Sequence, residues 1–415
     1  MNNYFAKRFV FATLLSSLGA CASFSPPASL KLKSFHEKKE LEISYLKSFK
    51  TVESAELGSR EMLRPELANS WQWRRRNAVG SPQQSWISPQ FIGGDDVLLC
   101  TVGGGISVVD LKSGAARWKV EIPVGVASQP FLLGSFVFVA GLDGWVRKLR
   151  MDTGHQEWAS RISSESTGGV TVNGGKVFVS SADDSLWALD EKTGKSMWSY
   201  RRPSPQGNVY WSLKGASVPH MSPDGSVIYS GFSDGYFVAL ESSSGNTVWE
   251  RNFDRAGRFK DADQPFVLSQ DGTLIYLPLV DGDLLVLKSK DGSSQWSVSG
   301  AGASVPLLDE NEGALYTSNS DGSLLKVDLK SAKIIWATSS MKAFHTQAQA
   351  VSSRFVSYLN SEKGLQFVDR KTGEIVSEVY LGRTHIAPPA FDGARLVVLS
   401  SRNHVIVYKV TDRQI

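Results

Sequence analysis

The chain has 415 residues, of which 41% are hydrophobic, and it contains 37 glycines and 12 tryptophans. This length accommodates two or three average domains or one closed all-β architecture, and the composition excludes a disordered or low-complexity protein. The formal net charge is +4, and it falls to +2 when residues 1–20, whose only charges are Lys7 and Arg8, are removed. So small a charge argues against nucleic acid as a partner.

The first 20 residues have the pattern of an export signal. Lys7 and Arg8 form a short basic region, and the apolar run 9–18 that follows is too short to span a bilayer. Leu18-Gly19-Ala20-Cys21 resembles the lipobox of bacterial lipoproteins, which are cleaved before the cysteine and acylated on it. We therefore predict a signal peptide over 1–20 and lipidation of Cys21. The alternative is an ordinary secretory signal with a chance cysteine.

Residues 21–68 are predicted to be the lipidated cysteine and a tether. The segment is rich in Ser, Lys and Glu and shows no strand-like alternation. Leu41, Tyr45 and Phe49 recur at helical spacing, which is compatible with a short amphipathic helix. Cys100 is the only other cysteine, so no intrachain disulfide is expected in the mature chain. Its apolar surroundings indicate a small buried residue.

From residue 69 onward one pattern recurs. It comprises an apolar strand, a turn with Asp-Gly, a second strand ending near Leu-Asp, a turn with Gly, and then Trp. The recurring tryptophans are Trp118, Trp158, Trp198, Trp249, Trp296 and Trp336, at spacings of 40, 40, 51, 47 and 40 residues. A seventh copy has Ser377 in place of Trp. A period near 40 with four short strands predicts the blades of a β-propeller.

Glycine and tryptophan have fixed places in the repeat. A glycine precedes the Trp by four residues at 114, 154, 194, 245 and 292, and Ala332 is the exception. Glycine supplies the positive φ that tight hairpins require. The Trp, on the outermost strand, is predicted to pack between neighbouring blades as a core residue and not to line a ligand site.

The last blade is predicted to be split between the two ends of the chain. The apolar runs 396–399 and 405–408 give inner strands only, and Trp71-Gln72-Trp73-Arg74 resembles the missing outer strand. Pairing N- and C-terminal strands in one blade closes the ring and removes exposed edges. The sequence therefore predicts an all-β, eight-bladed β-propeller of four-stranded antiparallel blades over residues 69–412.

Two long repeat spacings point to a functional surface. The extra residues fall in consecutive links between blades, at 200–217 and 251–265, on the face that carries the Asp-Gly turns. Enlarged loops on a rigid scaffold are common sites of function. The aromatic and charged residues they contain are typical of protein-recognition surfaces. The alternative is that the apolar residues pack the loops themselves and the charged residues are merely solvated.

Both links resemble segments of the BamB family of outer-membrane β-barrel assembly lipoproteins, which are eight-bladed propellers. Residues 211–219 are similar to the family's Leu-x-Leu-Arg-Gly-x-Ser-x-Pro segment, and 260–265 to its Asp-x-Asp segment before a proline. In the family these segments bind the periplasmic domains of the central assembly subunit. The resemblance implies apolar and cationic contacts from Trp211, Leu213 and Lys214, and anionic contacts from Asp261 and Asp263.

The resemblance has departures and further implications. Lys214 replaces the family's arginine, which removes bidentate geometry. The second segment is one residue shorter, and the tether is longer than usual. Ala22, next to the predicted lipid, is not the Asp associated with inner-membrane retention. The resemblance therefore implies a location on the periplasmic side of the outer membrane.

An enzymatic function has no support in the sequence. The repeat also resembles the blades of quinoprotein dehydrogenases, but these are longer and commonly have adjacent cysteines, which this chain lacks. Asp281-Gly282-Asp283 is interpreted as a blade turn and not as a calcium loop. We predict no catalytic residue, no metal and no cofactor. Three hypotheses remain: a barrel-assembly scaffold, another lipid-anchored propeller that binds envelope proteins or polymer, and a quinoprotein-type dehydrogenase.

Overall fold

The computed structural model describes residues 40–50, 87–100, 104–202, 217–253, 262, 264–279, 282–338, 347–351, 354–360, 364–379, 388–392, 395–399 and 404–413. These residues form 32 strands in four-stranded sheets and no helix, and hence no helix that could cross a membrane. The predicted signal peptide and Cys21 lie outside the described residues.

Seven sheets each consist of four consecutive strands, and we call them blades 1 to 7. The first strand, β1 (Glu40–Lys50), belongs to a further sheet. Blades 1 to 4 are β2 (Gln90–Gly93), β3 (Asp96–Cys100), β4 (Gly105–Asp110), β5 (Ala116–Glu121); β6 (Phe131–Leu133), β7 (Phe136–Ala140), β8 (Trp145–Arg150), β9 (Gln156–Arg161); β10 (Val170–Asn173), β11 (Lys176–Ser181), β12 (Ser185–Asp190), β13 (Ser196–Arg201); and β14 (His220–Met221), β15 (Val227–Gly231), β16 (Tyr236–Glu241), β17 (Thr247–Asn252). Blades 5 to 7 are β18 (Val267–Leu268), β19 (Leu274–Pro278), β20 (Leu284–Lys288), β21 (Ser294–Val298); β22 (Leu307–Asp309), β23 (Ala314–Ser318), β24 (Leu324–Asp328), β25 (Ile334–Ala337); and β26 (Gln347–Val351), β27 (Phe355–Asn360), β28 (Gly364–Asp369), β29 (Ile375–Val379).

The remaining strands form a sheet of order β1-β32-β31-β30, with β30 at Ala390–Phe391, β31 at Arg395–Leu399 and β32 at His404–Arg413. The all-β propeller of four-stranded antiparallel blades is confirmed. The structure has seven blades of consecutive strands, whereas the sequence predicts eight blades in all. The prediction that 71–74 pairs with the C-terminal strand is wrong, because β32 has β31 on one side and β1 on the other. Residues 71–74 lie outside the described part of the chain.

The strand β1 lies within the segment that the sequence assigned to the tether. Its register with β32 runs from Glu40 opposite Arg413 to Lys50 opposite His404, with a bulge after Tyr45. The helical interpretation of Leu41, Tyr45 and Phe49 is therefore wrong. Leu41 and Tyr45 are an even number of residues apart, which fits the two-residue period of a strand as well as one face of a helix. The bulge after Tyr45 shifts the register by one residue, so Phe49 is out of phase with them along the strand.

The hydrophobic core lies between the blades. The second strand of each blade is buried on both faces, which is why these strands are continuous apolar runs. Between blades 1 and 2, for example, Val108 and Val137 belong to the same buried cluster. Cys100 is 2% exposed in this cluster, which confirms the prediction of a buried thiol. Burial raises the pKa of the Cys100 thiol far above its usual range.

The recurring tryptophans join each blade to the next, as predicted. Five of them donate an indole hydrogen bond of 2.7–3.1 Å to a backbone carbonyl of the following blade: Trp118 to Met151, Trp158 to Glu191, Trp198 to Ser242, Trp249 to Ser289 and Trp336 to Arg370. The same indole rings cover the turn glycines of that blade. A Cβ added to Gly194 would lie 2.7 Å from the ring of Trp158, closer than carbon atoms approach in proteins.

The turn glycine therefore serves two purposes. Gly194 has a φ of +70°, which favours glycine, and its missing side chain makes room for the tryptophan of the preceding blade. Ala332, the exception, also has a positive φ, of 58°, and packs against the same cluster as Trp296. Ala332 is thus a strained substitute within an otherwise uniform joint.

The outer edge of each of the seven blades is interrupted by a bulge. The register between the third and fourth strands shifts next to the Trp position in every blade, as between Lys148 and Leu149 in blade 2. A bulge bends the outer strand and disrupts its ladder of hydrogen bonds. Such an edge is a poor template for a strand of another molecule.

We predict that Gly194→Ala lowers the free energy of unfolding by about 2–4 kcal/mol, because the methyl group adds overpacking against Trp158 to the cost of a positive φ. Gly174→Ala, in the same blade, is the matched control. Gly174 has a φ of +57° and no atom within 4 Å of the added Cβ, so we expect a loss of about 1 kcal/mol. Urea denaturation measures both, and equal losses would show that the indole contact contributes nothing.

Candidate functional site

The residues proposed to contact a partner lie outside the described part of the chain. Trp211, Leu213 and Lys214 fall in the link between blades 3 and 4, and Asp261 and Asp263 fall in the link between blades 4 and 5. The structure describes where each link leaves one blade and where it enters the next. The described residues at these ends form the candidate functional site, since they show where both links leave and enter the blades.

The structure describes the first link up to Arg202 and again from Ser217. Ser217 is 2% exposed, and its hydroxyl oxygen accepts a hydrogen bond of 3.0 Å from the backbone N–H of Gly231 at the end of β15. The carbonyl of Pro219 accepts a hydrogen bond from Thr171 of blade 3. The returning chain is therefore fixed to both blades that the link connects.

Two residues of the second link, Phe253 and Ala262, are fixed to the turn between β15 and β16. The N–H of Phe253 donates to the carbonyl of Gly235 at 2.8 Å, and the N–H of Ala262 donates to the carbonyl of Phe232 at 3.2 Å. Ala262 is fully buried. Phe232 and Gly235 bound the Asp234-Gly235 turn of blade 4, so Phe253 and Ala262 both lie beside that turn.

Two aromatic side chains connect the blades beneath the links. His220, at the start of β14, contacts the ring of Phe266 edge-on at a centroid distance of 4.7 Å. Phe266 is 1% exposed and also packs edge-on against Phe237 at 4.8 Å. Burial lowers the pKa of His220 from 6.5 to about 4, so the imidazole is neutral at pH 7.

Arg202 is the charged centre of the site. Its guanidinium donates hydrogen bonds to Asp234 at 2.8 Å, to Glu250 at 3.0 Å and to the hydroxyl of Tyr200 at 3.2 Å. It also stacks 3.7 Å from the ring centroid of Tyr236. Burial acts to lower the pKa of Arg202, but the bonds to Tyr200 and Asp234 outweigh it and raise the pKa above the usual range.

A second polar contact joins the turns of blades 3 and 4. The N–H and hydroxyl of Ser233 donate to the carboxylate of Asp184 at 3.1 and 2.6 Å. Asp184 has a φ of 59°, an uncommon conformation for a residue other than glycine. Its carbonyl accepts the N–H of Arg202 at 3.0 Å. The turns between the second and third strands of blades 3 and 4 are therefore tied to each other beside Arg202.

Arg202 stands where blades 1, 2 and 4 have an apolar residue. The backbone N–H groups of Ile122, Ile162 and Phe253 bond to carbonyls in the turn between the second and third strands of their own blades, as the N–H of Arg202 does. Ile122 and Ile162 are 2% and 4% exposed. The sequence contains this signal, because aligning the repeats places Arg202 with two isoleucines and a phenylalanine. The sequence analysis grouped Arg202 with the other charged residues of the link and so missed this alignment.

Other candidate chemistry is accounted for by turns. The carboxylate of Asp283 accepts hydrogen bonds from Ser299 at 2.9 Å and from the N–H of Gly300 at 3.1 Å, which agrees with a structural role; Asp281 lies outside the described residues. Within the ranges that the structure describes, no group of three or more His, Cys, Asp or Glu side chains is arranged to hold a metal ion.

The repeat sequence matches a known family. The family model described as "Outer membrane protein assembly factor BamB" matches residues 102–338 and, in an overlapping match, 261–379. Together the matches cover about two thirds of the chain, from blade 1 to blade 7. The chain belongs to the BamB family. No curated protein matches it.

Solved structures extend the likeness of this BamB-family chain to the whole fold. BamB from Moraxella catarrhalis superposes with a TM-score of 0.68 at 16% identity, over 88% of this chain and 99% of that one. The quinohemoprotein alcohol dehydrogenase from Comamonas testosteroni gives a TM-score of 0.65 at 15% identity, over 80% of this chain and 75% of that one. At such identities both likenesses concern the fold alone.

We predict that His220 makes the stability of this BamB-family protein depend on pH between about 6.5 and 4. Protonation favours the unfolded chain there, so the free energy of unfolding should fall by about 2 kcal/mol more in the wild type than in His220→Gln. Carboxylates such as Asp183, whose pKa is lowered from 3.8, lose their contribution only at lower pH. His155→Gln, at an exposed position, should leave the slope unchanged. Parallel slopes for wild type and His220→Gln would contradict the prediction.

Proposed function

We propose that this protein is a non-enzymatic scaffold lipoprotein of the outer-membrane β-barrel assembly machinery. In this proposal Cys21 carries the lipid that anchors it to the periplasmic side of the outer membrane, and the propeller docks the periplasmic domains of the central assembly subunit. The observation that carries the proposal is the family match together with the two enlarged links. Both links have ends fixed beside blade 4, so they flank one turn of one blade.

The proposed contacts are complementary in kind. Trp211 and Leu213 supply apolar area, Lys214 supplies a cation, and Asp261 and Asp263 supply anions. Apolar and aromatic residues account for most of the binding free energy at interfaces of this sort. Charges at the rim mainly orient the partner and raise the association rate. A partner whose surface offers apolar area together with acidic and basic groups is complementary to these side chains.

We also propose that the sheet of β1 and β30–β32 is an eighth blade that closes the ring. Val97 and Leu99 of blade 1 share a buried cluster with Val397 and Val405 of this sheet. On its other side, the sheet shares a cluster with blade 7. The guanidinium of Arg395 bonds to the carboxylate of Asp95 at 2.5 Å and to the carbonyl of Gly94 at 2.8 Å, across 300 residues of chain.

Amide hydrogen exchange tests the closure. In a closed ring every blade has two neighbours, so β3 of blade 1 and β31 should be protected to within about tenfold of β11 in blade 3. In an open arrangement the end blades fray, as terminal repeats of a solenoid do. A deficit of about a hundredfold or more in β3 and β31 would exclude closure.

Co-purification from solubilised membranes tests the scaffold function. We expect the wild type to recover the central assembly subunit, a large outer-membrane barrel protein, and Leu213→Glu with Asp263→Arg to lose it, because the changes reverse one charge and add another to apolar area. The control is Leu133→Glu with Glu157→Arg in blade 2, at two exposed positions away from the links. It carries the same charge changes and should bind like the wild type.

Each other outcome has a distinct meaning. Equal recovery by both double variants would keep the partner and exclude the proposed surface. Failure of the wild type to recover the subunit would exclude the scaffold function, and recovery of envelope polymer instead would favour another lipid-anchored propeller. An absorbance change on adding quinone and Ca²⁺ would favour a quinoprotein-type enzyme.

Fractionation of cells into membrane and soluble fractions tests the lipid anchor. Cys21→Ser should leave the membrane pellet, and retention there would exclude the lipid anchor.

A further inference from the structure

We propose that Arg202 is a positioning residue that holds the ends of the two enlarged links in a fixed arrangement on blade 4. As a statement about a docking surface this rests on the proposed function. As a statement about the propeller it rests only on described residues. Arg202 directly follows β13, where the chain leaves blade 3 for the first link, and its contacts reach the elements that bound the second link.

The contacts of Arg202 come from three parts of the site. Tyr200 is on its own strand, β13. Asp234 and Tyr236 belong to the Asp-Gly turn of blade 4 and the strand after it. Glu250 is on β17, three residues before Phe253, whose N–H anchors the start of the second link. One side chain thus connects the blade before the first link, the turn between the links and the strand that leads into the second.

Stability alone does not explain an arginine at this position. Ile122 and Ile162 show that the fold accepts a fully apolar side chain there. The side chains of Arg202 and Asp234 are 11% and 10% exposed, so both charges have lost most of their hydration. Replacing a buried ion pair by apolar residues is often neutral or stabilising. What the guanidinium adds is a planar fork with fixed directions toward two carboxylates on different elements.

The two carboxylates that the guanidinium contacts differ in how firmly they are held. Asp234 also accepts the N–H of Tyr236 at 3.1 Å, so its carboxylate is fixed to the turn. Glu250 is 44% exposed, and the guanidinium of Arg202 bonds to its carboxylate at 3.0 Å, so Arg202 fixes a side chain that largely faces solvent. Without Arg202, β17 would keep its strand pairing but would lose its side-chain connection to the end of β13. The described start of the second link would then be less firmly fixed to the end of blade 3.

The test variant is Arg202→Ile with Asp234→Asn. Isoleucine is the residue of the equivalent positions in blades 1 and 2, and asparagine keeps the acceptor for the N–H of Tyr236 without a stranded charge. The matched control is Arg147→Ile with Asp143→Asn in blade 2. That pair is equally buried, at 11% exposure for each side chain, and blade 2 borders neither enlarged link.

The first readout needs no partner. Hydrogen exchange at the amides of Phe253 and Ala262, which bond to Gly235 and Phe232, should become about tenfold faster in the Arg202 variant. The same amides should be unchanged in the control, and the midpoint of global unfolding should stay similar in both. Unchanged exchange at Phe253 and Ala262 would overturn the positioning role, whatever the protein binds.

The second readout is the dissociation constant for the periplasmic domains of the central assembly subunit. We expect about tenfold weaker binding for the Arg202 variant, wild-type binding for the control, and an intermediate value for Arg202→Lys, which keeps the charge but not the fork. Wild-type affinity in the Arg202 variant would overturn the role at the docking surface. If the wild type itself does not bind, the proposed function fails, and the hydrogen-exchange result alone decides the role of Arg202.

Discussion

The stacking of an outer-strand tryptophan on the turn glycine of the next blade is the contact on which this propeller depends. A single four-stranded blade cannot bury its two apolar faces, so its stability comes from its neighbours. The indole of Trp158 covers Gly194 and bonds to the carbonyl of Glu191, and this joint uses residues from two successive repeats. Insertions are tolerated only where they leave the joint unchanged, which is why both enlarged links fall between the outer strand of one blade and the inner strand of the next.

Function is proposed where the repetition breaks. The 51- and 47-residue spacings mark the two links, and the charged Arg202 occupies a position that blades 1, 2 and 4 give to an apolar residue. The two departures lie next to each other in the chain and in the fold. In our proposal, a buried arginine at the start of an insertion fixes the position of that end on the rigid propeller. Links without this connection would lack that preorganisation and would lose conformational entropy on binding.

The sequence predicted the blades because their physics is local and repeated. Period, Asp-Gly turns and the Trp position were enough to infer the four-stranded antiparallel plan, and the apolar run around Cys100 was enough to infer its burial. The end of the chain was harder, since nothing local distinguishes one N-terminal strand from another. Trp73 resembled the missing outer strand, whereas Glu40–Lys50 pairs with the C-terminal strand. The role of Arg202 was also missed, because its burial depends on Asp234 and Glu250, which lie 32 and 48 residues further along the chain.

The bulge beside the tryptophan position has a consequence for behaviour in crowded surroundings. Each of the seven blades turns an outer strand toward solvent, and an unbroken strand there could accept a partner from any neighbouring molecule. In the proposed function, the propeller would be concentrated at a membrane among barrel proteins whose strands are still unpaired, and it would meet such strands continually. Interrupting the hydrogen-bond ladder once per blade makes each outer edge less able to pair with a strand of another molecule. The propeller can then remain soluble at high local density while its loops alone decide what it binds.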